Sequence, residues 1–364
     1  MKFKIDAKEL QQASKLIMPI VNINNSNVAL RYLKITRNEN KIEIKGYNDF
    51  IFASVFLNAY DIEGNDTCYV FAKTFFDLSK TFFGTLDIVA SKEFFQIKSS
   101  KSKYKINILD ENVFLETVPV EEDYYNRKFE SSINLNELKT SIQSVYHCLS
   151  NDDSQMALQH VYFNKEVIIA CDSIRGAIIR NDIAALDNIL IHRKIIDCIM
   201  NINDSNNISF VIDNNILYGK TSNFMFSASL SGVKYPTKDI LDIYEYYLKN
   251  EKKIKYNFPI KISGITEALS RILFLTDKET NSVKIVFSKD VISIVVEGNN
   301  YGEEIINLPL DIKDEMITLN VDAKNLREAL SHTMGEVLWR TDGSKDIQYI
   351  VDSDVIQFFF GLEE

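Results

Sequence analysis

Three aspartates, four histidines and four cysteines are the side chains of this sequence that could do chemistry. Asp152, Asp153 and Asp172 could hold a divalent cation for phosphodiester hydrolysis, because clustered carboxylates suit hard cations. Asp152 and Asp153, however, lie between Asn151 and Ser154, in a run of residues whose short polar side chains bond their own backbone, so they read as turn formers. His147, His160, His192 and His332 include no i,i+4 pair that would put two ligands on one helix face. Cys68, Cys148, Cys171 and Cys198 form no CxxC and read as buried free thiols. No nucleophile stands with a base and an orienting group, so no catalytic residue, metal or cofactor is expected and the chain reads as a non-enzyme.

The elements around these residues recur. IDAKELQQASKLI from Ile5, INLNELKTSIQSV from Ile133 and IKISGITEALSRI from Ile260 each join a short strand to an amphipathic helix. With Leu10, Leu138 and Ile265 equivalent, they lie 128 and 127 residues apart. A second helix follows in VFAKTFFDLSKTF, LIHRKIIDCIMNI and LNVDAKNLREALS, with Phe71, Ile191 and Val321 equivalent. Runs of period-two alternation such as KIEIKG, KYKINIL, NISFVID, VKIVFS and DVIQFFF predict half-buried strands between them. Polar segments, Glu121 to Lys128 and Tyr247 to Asn257, separate the units. The expected class is α+β, with three repeated domains at 1–120, 129–246 and 258–364.

Charge is distributed unevenly over these elements. The whole chain carries −10, which argues against a protein that is basic all over its surface. Yet the six helical windows 7–18, 72–83, 135–148, 192–201, 263–276 and 322–333 together carry +3, leaving −13 elsewhere. Helices with an apolar face on a sheet would turn Lys15, Lys73, Lys80, Lys139, Arg193, Lys194, Arg271, Lys324 and Arg327 outward. With no Gly-rich phosphate loop and no aromatic base-stacking strand, such charge suits sequence-independent contact with the phosphates of double-stranded DNA. The N-terminus lacks an apolar signal core, and no run reaches the ~18 apolar residues of a membrane span, so a cytoplasmic location is expected.

The opening MKFKIDAKELQQA, then CDSIRGAII, GVKYPTKDIL and the closing FFFGLEE, taken in order with the paired helices, resemble the bacterial sliding clamps, the β subunits of DNA polymerase III. The resemblance covers the whole chain. It implies three clamp domains, each with two helices packed on antiparallel sheets, forming a crescent that pairs head to tail with a second copy into a ring around DNA. It also implies a processivity factor with no chemistry of its own, which tethers DNA polymerase III and other replication and repair proteins and is placed by a clamp loader. Arg193 and Lys194 match a basic pair of the family, whereas Met156 and Ala157 stand where many clamps carry tyrosines that touch DNA.

For partner peptides with apolar anchors, the matching positions are Leu158, Cys171, Ser173, Ile174, Arg175, Gly176, Pro236, Leu241, Phe360, Gly361 and Leu362. Arg175 and Pro236 keep the pattern. Ile174 replaces its histidine, Gly176 its leucine, Phe360-Gly361-Leu362 its M-P-M, and Ala323 stands where an aromatic is common, which implies a pocket of altered shape. For the homodimer, Tyr104 and Ile106 match one side of the joint, Phe274 and Leu275 the other. The alternative is a clamp-like interaction protein that binds replication proteins without encircling DNA.

Overall fold

The computed structural model describes residues 1–115, 127–129, 131–181, 183, 186–203, 205–230, 232–250, 254, 256–308, 310, 316–333, 335–341, 347–352 and 354–360. One element order runs through it three times. The first pass is β1 (Lys2–Asp6), α1 (Ala7–Ile17), β2 (Tyr32–Asn38), β3 (Lys41–Tyr47), β4 (Ile51–Leu57), β5 (Tyr60–Glu63), β6 (Cys68–Phe71), α2 (Ala72–Ser79), β7 (Thr85–Ala90), β8 (Phe94–Lys98), β9 (Lys103–Asn107) and a short α3 (Glu111–Leu115). The second is β10 (Ser131–Asn134), α4 (Leu135–Tyr146), β11 (His160–Phe163), β12 (Val167–Cys171), β13 (Arg175–Arg180), β14 (Ile189–His192), α5 (Arg193–Asn201), β15 (Asn207–Asp213), β16 (Ile216–Lys220), β17 (Phe224–Ser229) and α6 (Thr237–Asn250). The third is β18 (Tyr256–Lys261), α7 (Ile262–Ile272), β19 (Ser282–Phe287), β20 (Val291–Val296), β21 (Gly302–Asn307), β22 (Ile317–Asp322), α8 (Ala323–Ser331), β23 (Glu336–Thr341), β24 (Ile347–Asp352) and β25 (Val355–Phe360).

The paired helices fall where the spacing put them, and their starts have a local cause. In four of the six, the last residue of the preceding strand accepts a hydrogen bond from a first-turn backbone amide. Asp6 accepts from Lys8 at 2.8 Å, Asn134 from Asn136 at 2.9 Å, His192 from Lys194 at 3.1 Å and Asp322 from Asn325 at 2.9 Å. Two helices, α3 and α6, lie outside this pattern. The second of them runs through Tyr247 and on to Asn250, so part of the stretch read as a polar separator is helix.

The chain forms two compact units, residues 1–139 with 191–231, and residues 140–190 with 232–364. In the first unit lie a five-stranded sheet ordered β5-β1-β7-β8-β9 and an eight-stranded sheet ordered β10-β15-β16-β17-β4-β3-β2-β6. Its helices α1, α2 and α5 pack together. In the second lie a four-stranded sheet, β21-β20-β19-β22, and an eight-stranded sheet, β14-β11-β12-β13-β25-β24-β23-β18, whose outermost strand β14 runs into the boundary at residue 190. Helices α7 and α8 pack side by side there over Phe258, Phe287 and Trp339. All five residues of β12 are buried, so both faces of its sheet are covered at that point. Among the described residues, no helix is long and apolar enough to cross a membrane.

Candidate functional site

The residues that could have done chemistry are taken up by the fold. Asp152 accepts from the Ser154 amide at 2.8 Å, and Asp172 accepts from the Ile174 and Arg175 amides at 2.9 Å, as turn formers do. All four cysteines are buried and free, and burial pushes the Cys68 thiol up to about 12 and the Cys171 thiol up to about 11. Among the described residues, no group of three His, Cys, Asp or Glu side chains is placed to hold a metal ion.

The basic helix residues divide into two kinds. Lys15, Lys73, Lys80, Arg271, Lys324 and Arg327 are exposed. Lys73 pairs with Asp77 at 2.5 Å, Lys80 lies 3.5 Å from the centroid of the Phe76 ring, and Arg271 makes a bidentate pair with Glu304 of β21 at 2.8 Å through both nitrogens. Lys324 and Arg327 line a groove between α7 and α8 with Thr266, Ser270 and Glu328.

Lys139, Arg193 and Lys194, expected to point outward, are instead half-buried. Lys194 Nζ donates to the Ile20 carbonyl at 3.3 Å, Lys139 donates to the Ile202 carbonyl, and Arg193 Nε lies 4.0 Å from Asp197. Lys139 and Lys194 thereby satisfy carbonyls just beyond the ends of α5 and α1, while Arg193 pairs along its own helix.

The residues matched to the partner pocket meet in the second unit. Leu158, Cys171 and Leu241 join one apolar cluster with Tyr162, Ile178, Tyr235, Tyr349, Ile356 and Phe358. The Cys171 thiol lies 3.4 Å from the Tyr235 hydroxyl. Gly176 is required by a close approach, since a Cβ there would stand 2.4 Å from the Phe358 ring, so that ring occupies the space a side chain at 176 would fill. Arg175 is buried between Asp172 at 3.0 Å and Glu328 at 2.9 Å. Ser173, Ile174 and Phe360 are exposed at the rim, where the Phe360 amide donates to the Ile174 carbonyl at 3.0 Å, and Pro236 is half-buried. Gly361 and Leu362 lie outside the described residues. Sequence reasoning did not single out Tyr235 and Phe358 as site residues, although they stand in the GVKYPTKDIL and FFFGLEE segments.

The residues matched to the dimer joint stand at two sheet edges. Tyr104, exposed, and Ile106, already buried, belong to β9, the last strand of the five-stranded sheet. Phe274, 89% exposed, and half-buried Leu275 follow α7, beside the edge strand β21. Phe83, 85% exposed after α2, was not singled out from sequence.

Two edges of the same kind are already joined inside the chain. β17 pairs with β4, setting Phe224, Met225 and Phe226 opposite Val55, Ser54 and Ala53. β25 pairs with β13, setting Val355, Ile356 and Gln357 opposite Ile179, Ile178 and Ala177. Counted from their hairpins, in which Asn48 and Asp172 donate to the carbonyls of Ile51 and Arg175, these two junctions share one register.

Comparison with known proteins fits this geometry. No family model matches the chain, and no curated protein matches it. Solved structures do. The chain is similar to the DNA polymerase III β subunit of Thermotoga maritima, with a TM-score of 0.80 at 15% identity over 100% of this chain and 99% of that one. It is similar to the β subunit of Borrelia burgdorferi, with a TM-score of 0.79 at 16% identity over 100% and 99%. For that of Pseudomonas aeruginosa the TM-score is 0.77 at 15% identity over the full length of both chains. The fold is that of the bacterial sliding clamps. Within the sliding-clamp fold, sequence has diverged so far that the likeness rests on backbone topology, and each site residue must be judged by its own surroundings.

Proposed function

We propose that the chain is a DNA sliding clamp without catalytic activity, built of three clamp domains at 1–120, 129–246 and 258–364. Two copies close head to tail around duplex DNA and tether DNA polymerase III, the clamp loader and other partners that carry clamp-binding peptides. The observation that carries this reading is the register shared by the two internal junctions, together with two sheet edges, β9 and β21, left over at the equivalent places. Transferring that register to a second copy sets Lys103 opposite Ile305, Tyr104 opposite Glu304, Lys105 opposite Glu303 and Ile106 opposite Gly302. The charges agree, since the β8–β9 hairpin carries Lys98, Lys101, Lys103 and Lys105 and the β21 region carries Glu297, Glu303 and Glu304. Phe274 would then meet the Thr81–Phe83 loop of the second copy, at the place where His147 stacks on His332 in the internal junction.

Duplex DNA would be held through phosphates, so a closed ring could slide with no sequence register. Lys324 and Arg327 are the better DNA-facing pair to test, because Arg193 and Lys194 also support the fold. Changing Lys324 and Arg327 to Glu is expected to weaken retention on DNA of any sequence, and to lower the salt slope by about 0.9 per lost phosphate contact, with the melting temperature unchanged. Retention of loaded protein on nicked circular plasmid, lost on linearisation, tests encirclement. Equal loss from both forms would point to a protein that contacts DNA without closing.

A further inference from the structure

The threefold order lets one site be followed through the molecule. Leu30 and Leu158 stand two residues before β2 and β11, Tyr47 and Cys171 close β3 and β12, and Tyr69 and Leu190 stand three residues before α2 and α5. In the first unit this set is sealed by α3, which lays Phe114 (2% exposed) 4.3 Å from the Tyr69 ring and 5.6 Å from Tyr47. In the second unit it is covered by α6, which buries Ile240 and Tyr247 and half-buries Leu241, Ile243 and Tyr244 on the same cluster. Tyr247, 2% exposed, is the anchor, with its ring 5.0 Å from Tyr349 and its hydroxyl 2.5 Å from Arg340.

In the third repeat, where β19 starts two residues earlier and β20 runs one residue longer, the strand register that sets Val295 opposite Lys284 puts Ser282, Val295 and Asn320 at the equivalent positions. They line an open groove of about 1120 Å³ with Lys284, Glu297 and Asp322, and no helix covers it among the described residues. A helix therefore lies on this site where the sheet face is apolar, and none lies on it where the face is polar.

We infer that the outer face formed by β11, β12, β13, β25 and β24 is a binding surface for an amphipathic partner segment with aliphatic and aromatic anchors, and that α6 is its resident, displaceable occupant. The inference rests on the reading that partner peptides dock around Leu158, Cys171 and Leu241. It adds what α6 itself displays, a ligand presenting an aliphatic residue, then aromatic residues four and seven positions on, as Ile240, Tyr244 and Tyr247 do. Leu241, in the second turn of α6, packs into the docking cluster, so a partner filling the cluster competes with α6 for one space. Apparent affinity would then be the intrinsic affinity multiplied by the fraction of molecules in which α6 is unseated.

The test uses the full chain and a synthetic peptide from the carboxyl terminus of the replicative polymerase of the same organism. Hydrogen exchange should show residues 158–178 and 347–360 protected by the peptide while 237–250 exchange faster. Calorimetry should show Tyr247→Ala, which loosens α6 at a residue away from the docking rim, binding about five- to tenfold tighter than the parent. Unchanged or slower exchange in 237–250 with 158–178 protected would overturn the displacement while leaving the docking site in place. Protection confined to other segments, or no binding by either protein, would overturn the docking site itself and the inference with it. If Tyr247→Ala does not fold, the exchange experiment on the parent still decides.

Discussion

Changing Phe274 to Asp and Leu275 to Lys together is expected to turn a dimer into monomer in sedimentation velocity, with dissociation about 1,000-fold easier, or roughly 4 kcal/mol. Phe274 is 89% exposed in the single chain, so its substitution removes little from the fold of one copy. In the assembly it would remove a buried ring and leave a desolvated carboxylate and ammonium without partners. A companion pair tests the register itself. Lys105→Glu or Glu303→Lys alone should raise the dissociation constant about tenfold by setting like charges opposite one another, and both changes in one chain should restore it to near the parent value. If the double variant is no better than either single one, β9 and β21 do not pair in this register. A Phe274→Asp, Leu275→Lys variant that sediments like the parent would move the joint elsewhere.

Which parts of this arrangement the sequence disclosed follows from how far apart the interacting residues lie. The helix pairs were legible because their signals are local. Asp6, Asn134, His192 and Asp322 each sit at a strand end just before an apolar 3.6-residue period. Alternating strands were legible for the same reason. Relations made only in three dimensions were hidden. Lys194 looks like a solvated helix residue until Ile20 arrives beside it. Arg271 looks like a free cation until β21 brings Glu304 against it.

The partner pocket could be located by motif but not shaped, because Gly176 and Phe358 complement each other from strands far apart in the chain. The end of α6 reads as a spacer because the segment from Tyr247 to Asn257 is rich in Lys and Asn, and because Tyr244, Tyr246, Tyr247 and Leu248 put apolar groups all around the helix and blur its stripe. Only the neighbouring Arg340 and Tyr349 reveal which of them is the anchor.

Mild acid is expected to destabilise the second unit through one buried imidazole. His147, at the end of α4, stacks on His332 with ring centroids 4.6 Å apart and planes 14° from parallel. Its Nε2–H donates to Gln357 Oε1 at 2.9 Å, an orientation fixed by Gln357 Nε2 donating to the Ala329 carbonyl at 3.2 Å. Its Nδ1 has no partner among the described residues. Burial, helped by His332 and the Arg175 guanidinium, pushes the His147 pKa down from 6.5 to about 3. Burial also lowers that of His332, against the pull of Glu328.

Both folded-state values lie below the unfolded ones, so the unfolded chain binds more protons and stability rises with pH. The contribution is intact above pH 6.5 and is lost as pH falls from 6.5 towards 3, reaching about 2 kcal/mol for His147 at pH 5. Trp339, the single tryptophan, is buried in the core of the third repeat and reports unfolding of this unit in urea. His147→Phe should be less stable than the parent at pH 7.5, because Gln357 loses its donor at a cost of about 1–2 kcal/mol. It should also lose much less stability than the parent between pH 6.5 and 5. An unaltered pH slope in His147→Phe would place the acid sensitivity on other groups and remove the stacked pair from this role.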